Sequence, residues 1–227
     1  MSEFVIPVPP IASLPVKGGG EFPLRRVYCI GRNYAAHAVE MGHDPDREPP
    51  FFFQKNPNNL DASGVFPYPD QSEDVHHEVE LLVALKSGGT DIPVASALDH
   101  VWGYAPSLDM TQRDLQGVAK KMGRPWEIGK AFERSAPVGP LQSVAQVGHL
   151  DQGTIELRVN GAVKQSGDLN QMIWKVPEMI AYLSRFFELA AGDVILSGTP
   201  SGVGPVARED VMDVKITGLD DLTVKVV

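Results

Sequence analysis

Glycine occurs 22 times and proline 19 times, spread without a period along 227 residues. Proline removes a backbone donor and glycine carries the largest conformational entropy cost, so neither sits well inside a helix or strand. A chain punctuated this often folds from short strands and turns rather than long helices. The segments between do not alternate strand and helix as a Rossmann or TIM-barrel chain would. With 43% hydrophobic residues there is apolar material for a sizeable core. The expected class is α+β, dominated by β, with about three short helices.

Residues 1–22, rich in proline and glycine, read as an N-terminal extension or a first hairpin ahead of a main domain over 23–227. "RRVYCIG" reads as a buried strand, and Asn33 opens a short helix closed by Gly42. "PPFFFQK" reads as a strand ended by a turn-rich loop, "HHEVELLVALKSG" as another, and "HVWGYAPSLDM" as a third ending near Asp109. Thr111 to Met122 reads as a helix, with Thr111 and Asp114 spaced as a capping box and Gly123 as its stop. In "TIELRVNGAVKQ" the alternation of Ile155, Leu157 and Val159 runs into Asn160-Gly161, a type I′ hairpin signal. Pro177 opens an amphipathic helix that runs to Gly192. "DVIL" is a buried strand feeding a glycine-rich loop, and the tail holds two more strands.

A net charge of −9 and a pI near 5.1 argue against nucleic acid, which needs a basic stripe. The single cysteine, Cys29, allows no internal disulfide and fits a reducing compartment such as the cytoplasm. It lies in an apolar strand and reads as an inert core residue. The first residues resemble no signal peptide, and no stretch reaches the roughly 20 apolar residues of a membrane span.

Two carboxylates, Glu78 and Glu80, stand two apart in "VHHEVELLVAL". On a strand both point the same way, and like charges that close raise each other's pKa. With Asp109 at another strand end they make an oxygen-only set suited to Mg²⁺ or Mn²⁺, with Ca²⁺ as a substitute. Three protein ligands leave positions open for water and substrate. The spacing alone favours solvent-facing positions of an amphipathic strand, since E-x-E is common, with Asp109 a turn or helix-start residue. His76 and His77 face opposite sides and cannot both serve one ion. His37 and Glu40 at i,i+3 share a helix face, either as an ordinary surface pair or as a carboxylate-tuned imidazole able to take a proton from water. Lys130 in "GKAF" reads either as a snorkelling lysine or as a cation placed to stabilise an enolate. "SGTPSGVGP" offers backbone N–H groups and the Thr199 hydroxyl to a carboxylate, but is neither a Walker loop nor a G-x-S-x-G elbow.

Six segments in this order, "GRNYAAHAVEMG", "PPFFFQK", "HHEVELLVAL", "YAPSLDMTQRDLQ", "RPWEIGKAF" and "LSGTPSGVGPV", resemble the fumarylacetoacetate hydrolase superfamily. They span about Arg26 to the C-terminal strands, nearly the whole chain. The resemblance implies a mixed β-sandwich or β-roll with short flanking helices, usually a homodimer. It implies Glu78, Glu80 and Asp109 as ligands of Mg²⁺ or Mn²⁺, a His37–Glu40 pair that activates water, and Lys130 near the reacting atoms. Arg32, Lys55, Arg113, Gln116 and Thr199 match substrate-facing motif positions. The implied substrate is a 2,4-diketo acid. Within the superfamily, the small acylpyruvate hydrolases are most similar, and among them the fumarylpyruvate hydrolases of gentisate degradation. Oxaloacetate decarboxylation, or isomerisation or tautomerisation of a hydroxy-dienoate or keto acid, is an alternative for the same site, and a non-catalytic binding protein is another. One departure stands out. Asn56 follows Lys55 where relatives usually carry proline, which leaves the acyl preference open.

Overall fold

The computed structural model describes residues 4–35 and 49–227. Its largest sheet has six strands in the spatial order Gln142–Ser143, Val101–Leu108, Val79–Leu85, Asp193–Leu196, Arg26–Gly31 and Phe51–Lys55. Its pairs are antiparallel except Asp193–Leu196 beside Arg26–Gly31. A second sheet orders Ala162–Asp168, Thr154–Val159, Val211–Ile216, Leu222–Val226 and Val65–Phe66. A third, small sheet places Val75–His77 between Thr111–Gln112 and Gly204–Pro205. The β-dominated α+β class expected from the punctuation is what the chain adopts.

Val79–Leu85 is buried along its whole length. Side chains alternate across a strand, so its two faces enter two cores. Leu81, Val83 and Leu85 pack with Ile155, Leu157 and Val214 of the second sheet and with Met179, Ile180 and Leu183 of the Val176–Leu183 helix. Leu82 and Ala84 face the other way, into a core completed by Leu14, Phe22 and Leu24. Those residues belong to the first segment of the chain. There Ser13–Pro15 and Glu21–Pro23 pair as an antiparallel hairpin, and Lys17 ties it down through Gln142 and Asp220.

The Asn160-Gly161 hairpin forms as expected, with both residues at positive φ (51° and 79°). Three expectations need correction. "HHEVELLVAL" is two strands, not one. The chain leaves the small sheet after His77 and joins the large one at Val79, with Glu78 at the changeover. The helix expected from Thr111 begins at Arg113, because Thr111 and Gln112 pair with His76 and Val75. Thr111 caps nothing. Its hydroxyl donates to the Asp109 carbonyl, and Asp114 accepts from Ser72 and Glu73 instead. The helix expected to reach Gly192 stops at Leu183. Ser184 donates to the Ala181 carbonyl and accepts from the Ile92 N–H, and Leu189 then pairs its backbone with Gly89. The helix expected from Asn33 lies mostly outside the described residues.

Candidate metal centre and active-site cleft

The switch of sheets at Glu78 builds the centre. Val79 pairs with Leu108 and Glu80 with Ser107, and the Asp109 N–H donates to the Glu78 carbonyl at 2.8 Å. Asp109 therefore lies opposite Glu78, with Glu80 two residues on along the same face. The three carboxylates are all buried, and each offers an oxygen within 4.8 Å of the others. Apolar strands force this crowding, since the large sheet and its second core surround the site.

The electrostatics are severe. Burial, then repulsion from Asp109 and Glu78, holds the Glu80 carboxyl well above the ordinary carboxylate range, against the pull of Lys130. The Gly198 N–H donates to Glu80 Oε2 at 2.8 Å. Gly198 has φ +89°, and a Cβ there would come within 2.7 Å of Asn33 Cβ, so the loop reaches Glu80 only because this residue is glycine. Lys130 Nζ donates to Glu78 Oε2 at 2.9 Å and to Asp109 Oδ2 at 2.7 Å. Burial pulls its ammonium down, but Asp109 and Glu78 together outweigh it and the net direction is up. Among the described residues the carboxylate oxygen Asp109 Oδ1 has no hydrogen-bond donor, although Lys55 Nζ stands 2.8 Å away as an ion pair. Three hard oxygen donors in one buried cluster, one lacking a hydrogen bond and one resisting ionisation, fit a divalent cation.

Lys55 is fully buried and oriented inward. Besides Asp109 it reaches Ser135 Oγ at 2.9 Å, the Met110 carbonyl at 3.3 Å and the Lys130 carbonyl. Ser135 Oγ donates to that same Lys130 carbonyl at 3.0 Å. The short Glu127–Lys130 helix is thus tied at its end to the Phe51–Lys55 strand.

Arg113 and Gln116 rise from the Arg113–Lys121 helix one turn apart, on one face. Arg113 donates to Glu78 Oε1 and to Gln116 Oε1. With Arg32, Phe51, Trp126 and Lys130 they line a cleft that opens from Glu78. The Arg32 guanidinium lies over the Phe51 ring, 5.3 Å from its centroid. Thr199 is buried one residue beyond Gly198, and its hydroxyl accepts from Gln165 Nε2. Gln165 also accepts from the Val79 N–H and bonds His77 Nδ1, which settles His77 as a structural residue. His76 pairs with Asp74. Burial pulls both imidazoles below their ordinary value, and neither is in the acidic cluster. His37 and Glu40 lie outside the described residues.

Cys29 is buried in the core as expected, and burial pushes its thiol well up. Two polar partners escaped the sequence reading. Ser135 carried no motif. Lys120, seven residues after Arg113, also lines the cleft, and its i,i+3,i+7 spacing with Arg113 and Gln116 was the available signal.

The family model described as the fumarylacetoacetate (FAA) hydrolase C-terminal domain matches residues 26–227. Among solved structures the chain is similar to fumarylpyruvate hydrolase from Pseudomonas aeruginosa, in complex with Mn²⁺ and pyruvate. The two are 52% identical with a TM-score of 0.96, over 99% of each chain. Among sequences it is 42% identical to a mitochondrial oxaloacetate decarboxylase of Dictyostelium discoideum, over 86% of this chain and 90% of that one. It is 40% identical to the mitochondrial oxaloacetate tautomerase FAHD1 of Arabidopsis thaliana, over 87% and 88%.

Proposed function

The chain belongs to the fumarylacetoacetate hydrolase family, and from that premise we propose that it hydrolyses the carbon–carbon bond of an acylpyruvate, with fumarylpyruvate giving fumarate and pyruvate. One observation carries the choice of substrate. The chain is 52% identical to fumarylpyruvate hydrolase with a TM-score of 0.96, against 42% and 40% identity to the oxaloacetate-acting relatives. The family model itself begins only at residue 26, after the hairpin.

Glu78, Glu80 and Asp109 would hold Mg²⁺ or Mn²⁺. When bound, the cation supplies a Lewis acid and a template for the α-keto acid head of the substrate. The protein's own groups do the rest. Lys130, already held between Glu78 and Asp109, keeps a fixed positive charge where the departing pyruvate gathers negative charge as its enolate. Arg113 donates to both the Glu78 carboxylate and the Gln116 amide oxygen, which leaves the Gln116 N–H₂ as a donor for the substrate. His37, oriented by Glu40, takes the proton of the water that attacks the acyl carbonyl. Thr199 borders the substrate carboxylate from the glycine-rich loop. Lys55 holds Asp109 and the Lys130 turn in place.

Oxaloacetate decarboxylation or tautomerisation is the second reading, favoured by the names of the Dictyostelium and Arabidopsis relatives. It needs no attacking water. Purified protein with Mn²⁺ is given fumarylpyruvate and oxaloacetate in parallel. Appearance of equimolar fumarate and pyruvate establishes the hydrolase. Turnover of oxaloacetate with fumarylpyruvate left intact replaces it with the second reading.

A further inference from the structure

We propose that Lys120 receives the distal carboxylate of the substrate and makes this site selective for long dicarboxylic acylpyruvates; the assignment rests on the hydrolase reading above.

Among the described residues, the cleft that opens from Glu78 is lined by four cations, Arg32, Arg113, Lys120 and Lys130, and by one carboxylate, Glu78 itself. That surplus stands out in a chain of net charge −9. Clefts of one sign concentrate ligands of the other. The inner cations are engaged: Arg113 with Glu78 and Gln116, Lys130 with Glu78 and Asp109. Lys120 has no carboxylate partner among the described residues. Its Nζ lies over the Trp126 ring, 4.9 Å from the centroid. A ring face holds an ammonium in position without using up its hydrogen-bond donors. Partial burial, then the neighbouring Arg113 charge, draws the Lys120 ammonium below its ordinary pKa, with Glu78 opposing. An anion bound there relieves that crowding.

The helix sets the length. Arg113, at the carboxylate cluster, and Lys120, at the mouth, are seven residues apart on one face, which is about 10 Å along the axis. An extended chain advances roughly 3.5 Å for every three bonds. A seven-carbon diacid such as fumarylpyruvate therefore sets its two carboxylates roughly 7 Å apart, about 3 Å short of that axial separation, a gap the long Lys120 side chain spans. Oxaloacetate, with half as many bonds between its carboxylates, falls short of Lys120. The rings of Phe51 and Trp126, packed edge-to-face at 5.1 Å, give the cleft an aromatic lining that suits a flat, unsaturated tail.

The test compares kcat/KM for fumarylpyruvate with that for acetylpyruvate, which has the same diketo head and no second carboxylate. Wild type, Lys120→Met, Lys120→Gln and Lys120→Arg are assayed with Mn²⁺, and Mn²⁺ affinity and melting temperature are recorded for each. The expected result is a wild-type preference for fumarylpyruvate that falls about 10- to 100-fold in the Met and Gln variants, the range of one charged hydrogen bond. The loss should appear in the KM for fumarylpyruvate, Mn²⁺ affinity should hold, and Lys120→Arg should recover most of the preference. A preference ratio that does not move, whether both substrates weaken together or neither does, overturns the assignment and leaves the hydrolase reading standing. Failure of wild type to cleave either acylpyruvate removes the hydrolase reading, and the role of Lys120 with it.

Discussion

Lys55 illustrates how far one side chain's neighbours can revise its reading. Its place in "FFFQK" suggests a substrate contact, yet the ammonium is turned inward onto Asp109, Ser135 and the carbonyl of Lys130. Removing one partner of a buried pair leaves the other uncompensated, at a cost of about 3 kcal/mol or more. Lys55→Met should therefore lower the melting temperature and reduce kcat about 10- to 100-fold while KM for the acylpyruvate stays within about 3-fold. A tenfold rise in KM with kcat retained would return Lys55 to the substrate. Glu80 gives the pH dependence. Its folded-state pKa is raised, so ionising it costs stability. The metal-free protein should lose stability as pH climbs from the ordinary carboxylate range through that raised value. Mn²⁺ replaces the proton, so its affinity should rise over the same window with proton release. Calorimetry in buffers of different ionisation enthalpy measures that release directly, and a pH-independent affinity would contradict it.

Elements whose form is decided by two adjacent residues were legible in the sequence, and elements decided by distant partners were not. Asn160-Gly161 needs only local backbone energetics, and the hairpin formed where expected. No residue fills the space a Cβ would occupy at Gly161, so Gly161→Ala probes conformation alone. It should cost about 1 kcal/mol in denaturant titration, with kcat unaffected. Thr111 looked like a helix cap because its spacing to Asp114 is right. Pairing with the Val75–His77 strand, some 35 residues earlier in the chain, claimed it instead. The break at Glu78 was equally invisible, since apolar residues continue on both sides and only the third sheet distinguishes them. The acidic cluster was legible only through the family resemblance, because E-x-E spacing by itself describes a solvent-facing strand as well as a ligand pair. Lys120 was not, as a lysine followed by another lysine reads as a solvated helix face.

At the scale of the whole molecule, the first segment is part of the packing rather than an appendage beside it. Leu14 and Phe22 complete the core that covers Leu82 and Ala84, on the sheet face that also carries Glu80. Removing residues 1–24 should expose that core, lower the melting temperature and weaken Mn²⁺ binding together. Thermal melts with and without Mn²⁺ check this, and a truncated protein that melts and binds like the full chain would show the hairpin to be dispensable. The covered strand Val79–Leu85 has one more consequence. In a saturation-mutagenesis library scored for growth or fluorescence, a half-buried ribbon such as Thr154–Val159 should tolerate changes at every other codon. Across 79–85 the tolerance map should instead darken without interruption, seven consecutive codons with no permissive position between them.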